Sequence, residues 1–379
     1  MKASVIITSY NYGRFLPETI ESALAQTYPQ TEVVVVDDGS RDNSREVISS
    51  FGDRIIAVLK ENGGQGSAFN AGVAASRGDV VCFLDSDDLL LPEAVARAVP
   101  MFHDRRVAKV NWPLWIIDAE SRRTGAVLPK IENLPDGDFK QAVIRDGPFY
   151  DWNITPPTSG NAWSRHFLEQ IFPMPEAPYR VCADEYLLTL APIYGEIRKI
   201  TEPLSCYRSH GHNHGWQHPF DDAKIEDDLQ RFEQSSHTLS KHLERMQITG
   251  DADAWKQRNF NYVWMSHLKL ARQNLMRLTT PGSTIILVDE YEWGKPLLPG
   301  RHTISPVEEH GQYSKHPGND AEAIAVIEQL RQDGAHYLAF WWTAFWWLER
   351  YPGLARFISS SYKSLLDSEH LKLFILRHP

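Results

Sequence analysis

Two stretches near the start of the chain are apolar and mostly β-branched: Ala3-Ser4-Val5-Ile6-Ile7-Thr8 and Glu32-Val33-Val34-Val35-Val36-Asp37. Neither alternates polar with apolar residues, so neither suits a sheet with one wet face. Each fits a strand covered on both sides, as in a parallel sheet. Between them, residues 16–26 place Leu16, Ile20, Ala23 and Leu24 on one helical face, with Pro17 suited to a first turn. Strand, helix, strand is a βαβ unit. The rhythm continues with a helix over 42–51, a strand over 54–59, an Ala-rich helix over 65–76 and a strand over 79–85. A helix after Pro92 and a strand-like stretch over 107–117 extend it. The pattern predicts an α/β fold, a sheet flanked by helices with right-handed crossovers, whose ligands bind outside the carboxyl ends of the strands.

Those ends read Thr8-Ser9-Tyr10-Asn11, Asp37-Asp38-Gly39-Ser40, Asn62-Gly63-Gly64-Gln65-Gly66 and Asp85-Ser86-Asp87-Asp88, every one polar, acidic or Gly-rich. Three carboxylates in four positions repel one another and cost stability unless a cation, N–H donors or solvent compensates them. Asp85 and Asp87 straddle one residue, so at a bend both can face one crevice. There they offer hard oxygen ligands for Mg2+ or Mn2+, with phosphate oxygens and water filling the remaining positions. Asp88 is expected to be structural, capping the turn into Pro92. The Asp37-Asp38 pair can accept hydrogens from a base or ribose, and Gly39 permits the sharp exit. The loop 62–67 offers N–H groups at a helix start, where phosphate is favoured. It is not a dinucleotide fingerprint, since it follows the third strand and Phe69 stands where a third glycine is needed.

With 379 residues, a formal charge of −10 and a pI near 5.8, the chain has room for two domains and no broad basic footprint, so nucleic acid is not an expected partner. Cys82, Cys182 and Cys206 are widely spaced and odd in number, which fits free thiols. The chain runs from Met1 directly into a strand pattern, without a signal peptide or a transmembrane segment, so the expected location is cytoplasmic, with peripheral membrane contact left open. The domain expectation is a catalytic domain over 1–220, a helical hairpin connector over 221–280 and a small α/β domain over 281–379. In the connector, Ile225, Leu229, Phe232, Leu239, Leu243 and Met246 form a short heptad stripe, for which a homodimer through the hairpin is the second reading. Trp341, Trp342, Trp346 and Trp347 are expected in the core, with sugar stacking or a membrane surface as the alternative. His210, His212 and His214 alternate without a zinc-specific pattern, and His210 is read as a contact to a diphosphate or cation.

In order, Thr8-Ser9-Tyr10-Asn11, Asp37-Asp38-Gly39-Ser40, Asn62-Gly63-Gly64-Gln65-Gly66, Asn70-Ala71-Gly72, Arg77-Gly78-Asp79 and Phe83-Leu84-Asp85-Ser86-Asp87-Asp88 resemble the nucleotide-binding half of the family-2 glycosyltransferases. The likeness is close over residues 1–100 and looser to about 215, where Ala183-Asp184-Glu185-Tyr186 and Cys206-Tyr207-Arg208-Ser209-His210 resemble the acceptor-side helix and the closing segment. The resemblance implies the GT-A-like fold, a mixed sheet flanked by helices, and an inverting, metal-dependent transferase. It would move a sugar from a UDP- or dTDP-type nucleotide-sugar donor to the hydroxyl of a saccharide or glycoconjugate acceptor. It implies donor-nucleotide contacts from Thr8, Ser9, Tyr10, Asp38, Asn62, Gly63, Gly66, Asn70, Asp85 and Ser86, and a cation on Asp87 with Asp85 and His210. A base would come from Asp184 or Glu185, of which Asp184 is preferred. Two departures stand out. Phe69 replaces a frequent arginine, and the acidic pair runs Asp then Glu instead of Glu then Asp. A nucleotidyltransferase using the same crevice, or a carbohydrate-binding assembly protein with a decayed site, are the competing readings.

Overall fold

The computed structural model describes residues 1–148, 155–211, 213, 222–289, 298–309, 312–313 and 315–377. The chain forms two compact units, Met1–Gln217 with Gln230–Asn261, and His218–Leu229 with Tyr262–Pro379. The segment 221–280, read from sequence as a connector, contributes to both. The expected boundary near Phe220, and His212, His214 and His218, lie outside the described residues.

In chain order the first unit carries β1 (Ala3–Ser9), α1 (Leu16–Leu24), β2 (Thr31–Asp38), α2 (Ser44–Ser50), β3 (Ile56–Lys60), α3 (Gln65–Ala75), β4 (Val80–Asp85), β5 (Leu89–Leu90), α4 (Ala94–Ala98), β6 (Val107–Asn111), β7 (Leu114–Ile117), β8 (Arg123–Leu128), α5 (Lys140–Asp146), β9 (Asn161–Ser164), α6 (Arg165–Ile171), α7 (Asp184–Tyr194), β10 (Glu196–Lys199) and β11 (Ser205–Arg208). Seven of the strands make one sheet in the order β10-β6-β9-β4-β1-β2-β3. β1 is parallel to β2 and β4, and β2 to β3, as the unalternating runs require. Val5, Ile7, Val33, Val35, Cys82 and Leu84 face one core with residues of α1 and α4. Ile6, Val34, Val36 and Phe83 are equally buried on the other face, where Gly72 of α3 lies against Ile6. Both faces are dry, so each position contributes roughly 1.5–3 kcal/mol of apolar burial and none is free to be polar.

The sequence reading of one strand over 107–117 is corrected: it breaks at Trp112-Pro113. β6 stays in the large sheet, while β7 joins a second sheet ordered β5-β11-β7-β8. Proline has no N–H to continue the ladder, which makes it a natural point of departure. β9, too short for a readable pattern, runs antiparallel between β4 and β6 and makes the sheet mixed.

α8 (Asp222–Arg245), α9 (Ala252–Arg258) and α10 (Phe260–Leu278) follow. Ile225, Leu229, Phe232, Leu239 and Leu243 are buried within the chain, with Ser236 in the same seam. The second unit adds β12 (Thr284–Val288), β13 (His302–Ile304), β14 (Glu308–Glu309), β15 (Gln312–Tyr313), α11 (Asp320–Gln332), β16 (Tyr337–Trp341), α12 (Trp346–Arg350), α13 (Pro352–Ser361), β17 (Lys363–Asp367) and β18 (Leu371–Ile375). Its main sheet is ordered β13-β12-β16-β18-β17. Trp341 and Trp347 are fully buried in its two cores, while Trp342 and Trp346 are half-buried. Among the described residues no helix is long and apolar enough to cross a membrane.

Candidate active site

The acidic turn is built by a short connection. After β4 the Asp88 N–H donates to the Asp85 carbonyl at 3.1 Å, and the chain reverses into β5. β5 then pairs antiparallel with β11, Cys206 opposite Leu89 and Ser205 opposite Leu90. That pairing carries the residues after β11 back over the turn, and His210 Nε2 meets Asp87 Oδ2 at 2.9 Å. The His210 ring stacks on Phe15 at 4.9 Å, with Tyr12 edge-on at 5.8 Å. Below them lies the fully buried Arg208. Its Nε–H donates to the Asp87 carbonyl at 2.6 Å, one terminal N–H to Ser121 Oγ at 2.7 Å and the other to Glu18 Oε2 at 2.8 Å. Its guanidinium also lies 5.0 Å from the Phe15 ring centre. Two residues 123 positions apart are thereby fixed as a pair.

Asp85, Asp88 and Asp184 are all held above the ordinary carboxylate range by burial, Asp85 additionally by the charges of Asp87 and Asp184. Asp88 is compensated by the protein itself, accepting from Ser159 Oγ–H at 2.6 Å and from the Arg208 N–H at 2.9 Å, in keeping with a structural role. Among the described residues Asp85 and Asp87 have no such full set of donors, so the turn is electrostatically strained. The same acids and burial push the Tyr12 and Tyr207 hydroxyls up.

This strain has a sign that stability can report. A carboxyl whose folded-state pKa is raised favours the fold below its unfolded pKa and loses that contribution as pH rises through the folded value. Asp85→Asn stays neutral throughout, so it is expected to raise Tm relative to the native chain more at pH 8 than at pH 5, without divalent cation. An equal Tm difference at the two pH values contradicts the assignment.

Asp38 sits differently from its expected role on a base. Oδ1 accepts from Lys60 Nζ–H at 2.6 Å and the Gly63 N–H at 2.9 Å, and Oδ2 from the Gly64 N–H at 2.7 Å and Asn62 Nδ2–H at 3.1 Å. A carboxylate has about four lone-pair sites, and these contacts fill them. The Gly-rich loop likewise spends its N–H groups inside the protein: those of Gln65 and Gly66 donate to the carbonyls of Arg180 and Tyr179, both at 2.9 Å. The expected phosphate cradle at 62–66 is therefore not formed, because the N-terminus of α3 is capped by the carbonyls of the turn at 179–180. A Cβ on Gly66 would stand 2.7 Å from the Tyr179 carbonyl, so only glycine permits that approach. Arg180 reaches Asn62 Oδ1 at 2.6 Å, placing a cation beside the loop that Phe69 does not supply. Asn70 clasps the 174–176 segment through Met174 and Glu176. Of the others, Thr8 is opposite Asp85 in the β1–β4 register, Ser9 Oγ is buried without a hydrogen-bond partner among the described residues, Tyr10 is exposed, and the Ser86 carbonyl accepts from Thr19.

At the start of α7 the two acids separate. Glu185 is tied to Arg231 at 2.8 Å. Asp184 turns toward the turn Thr158–Gly160 instead, accepting from Thr158 Oγ1–H at 3.3 Å, in the electrostatic neighbourhood of Asp85. Lys109, fully buried over the Trp163 ring, is its cationic neighbour; burial pushes that amine down to about 7 against the pull of Asp184. Thr158, Ser159, Lys109, Arg208 and Arg231 were not singled out for roles in sequence. Arg208 lies in the matched closing segment, whereas Thr158 lies beyond the motifs.

Residues 4–149 match the family model Glycosyl transferase family 2. An uncharacterized glycosyltransferase of Nostoc sp. is 40% identical over 217 residues, 56% of this chain and 66% of the relative. One of Rickettsia typhi is 38% identical over 33% of this chain and 40% of the relative. The chain thus spans less than two thirds of the length of these curated relatives. Among solved structures, TarS 1–349 of S. aureus in complex with UDP-GlcNAc aligns with TM-score 0.52 at 18% identity, covering 74% of this chain and 76% of that one. That likeness concerns the fold.

Proposed function

The chain belongs to glycosyl transferase family 2 through residues 4–149, and from that premise we propose that it moves a sugar from a nucleoside-diphosphate donor to an acceptor hydroxyl with inversion at the anomeric carbon. The observation that supports this best is the pairing of Asp87 with His210 beside Asp85, on which the charges of both Asp87 and Asp184 act. Asp87 Oδ2 and His210 Nε2, 2.9 Å apart, are the two side-chain atoms of this chain that would hold the cation. Among the described residues no group of three or more His, Cys, Asp or Glu is arranged to hold a metal alone. A site with two protein ligands completed by diphosphate oxygens and water suits Mg2+ or Mn2+. When bound, the cation neutralises charge developing on the leaving diphosphate.

In this reading Asp87 and His210 hold the cation, Asp85 faces the ribose and diphosphate, and Asp38 organises the Lys60–Gly64 wall of the pocket. Asp184 takes the proton of the acceptor hydroxyl as its oxygen bonds to the anomeric carbon and the bond from that carbon to the diphosphate oxygen breaks. Its raised pKa brings it closer to the working pH, where a general base is most effective. Glu185 is left to Arg231.

UDP-GlcNAc, the ligand of the TarS structure, is the first donor to test, with UDP-glucose and dTDP-sugars beside it. The expected result is release of nucleoside diphosphate with Mn2+ and its loss to background in EDTA. Release of pyrophosphate instead identifies the nucleotidyl-transfer alternative, and turnover indifferent to EDTA removes the cation from the scheme.

A further inference from the structure

The second sheet guides the chain as far as Ser209, whose N–H donates to the Ile117 carbonyl at 2.8 Å. His210 follows, and Gly211, at φ +81°, turns the backbone in a conformation that favours glycine. The turn brings the side chain of Asn213, 9% exposed, back onto the main chain it has just left. Asn213 Oδ1 accepts from the His210 N–H at 2.9 Å, and Asn213 Nδ2–H donates to the Arg208 carbonyl at 2.6 Å. Both partners are peptide groups, so the orientation of the amide follows: an N–H is met by the amide oxygen and a C=O by the amide nitrogen. One planar group closes the segment 208–213 into a clasp. Aspartate has the same shape but no donor, and alanine has neither group.

The clasp is anchored on the acidic turn at both of the residues it grips. The Arg208 N–H donates to Asp88 Oδ1 at 2.9 Å and its Nε–H to the Asp87 carbonyl at 2.6 Å. The His210 ring meets Asp87 Oδ2 at 2.9 Å and stacks on Phe15. With its oxygen and its nitrogen each on a peptide group, Asn213 acts on the site through His210.

We propose that Asn213 is a positioning residue for the cation site: its amide holds the main chain of His210 so that the imidazole stands beside Asp87 before cation and diphosphate bind. This rests on the transferase reading above, in which Asp87 and His210 hold the cation. A ligand already in place gives up little conformational freedom on binding, whereas a loose closing segment must be ordered at that moment. The clasp therefore sets how much cation the donor needs in order to bind.

The test titrates UDP into the full chain by calorimetry at a series of Mn2+ concentrations. Asn213→Ala is expected to raise the half-saturating Mn2+ concentration about tenfold, with the UDP stoichiometry of the native chain recovered at saturating Mn2+. A contact that only supports the fold would lower the stoichiometry and leave the Mn2+ requirement where it was. Because Asn213 acts through His210, adding Asn213→Ala to His210→Ala is expected to change the requirement by no more than about twofold. Asn213→Asp keeps the shape and the acceptor for the His210 N–H; it is expected to raise the requirement less, and it takes the same comparisons if Asn213→Ala fails to fold. An unchanged Mn2+ requirement in both variants, a full further rise on top of His210→Ala, or a loss of stoichiometry alone overturns the inference and leaves the transferase reading standing. UDP binding by the native chain that is absent or indifferent to Mn2+ overturns the cation site itself, and this inference with it.

Discussion

Replacing Asp87 by alanine is expected to lower cation-dependent turnover about 10^3-fold, in the range lost when a charge-stabilising group is removed from a transfer site. The argument rests on how little else Asp87 does. Its side chain contacts His210, while its backbone carbonyl, which the substitution keeps, receives the Arg208 Nε–H. The acids around it gain stability when one charge leaves, because the Asp87 charge raises both Asp85 and Asp88. Activity and stability should therefore move in opposite directions: turnover collapses while Tm is unchanged or higher. A variant that loses turnover by unfolding would show Tm falling with it, and one that keeps turnover removes Asp87 from the reaction.

The second large effect separates the two acids at the start of α7. Asp184→Asn retains a group for Thr158 to bond and loses only the ability to accept a proton, so kcat is expected to fall by about 10^2- to 10^4-fold with UDP affinity unchanged. Glu185→Gln is expected to keep kcat within a few-fold. It should instead cost stability, roughly 2 kcal/mol, less than the loss for a fully buried pair because the Arg231 side chain is 21% exposed. Urea midpoints and initial rates on the same two proteins give the comparison. If Glu185→Gln loses the rate and Asp184→Asn keeps it, the base is Glu185.

Much of the first unit can be read from residue order, because strands buried on both faces leave an unmistakable pattern. Val33 to Val36 admit no polar face, and the polar residues resume where the strand ends in Asp37 and Asp38. The acidic turn and His210 are legible as chemistry, since three clustered carboxylates need a partner. Three things are not legible. One is β9, four residues long, whose place between β4 and β6 is decided by pairing across the fold and not by its own pattern. Another is the fate of the loop N–H groups: residues 62–66 have the composition of an anion site, but the carbonyls of 179 and 180, over a hundred positions away, fill it. The last is Thr158, whose hydroxyl donates to Asp184 26 positions away, a relation that no local spacing expresses. In each case the missing information is long-range, and a single sequence carries it only as side-chain chemistry that has yet to find its partner.

The central claim is that the strand-end crevice around Asp85, Asp87 and His210 is a donor site in which cation and nucleoside diphosphate complete each other. Calorimetric titration of UDP into the full chain tests it most directly, with Mn2+ and then with EDTA, for the native protein and for His210→Ala. The account predicts UDP binding that needs Mn2+ and is weakened about tenfold or more in His210→Ala. UDP binding of equal strength with and without the cation, or none in either condition, contradicts it.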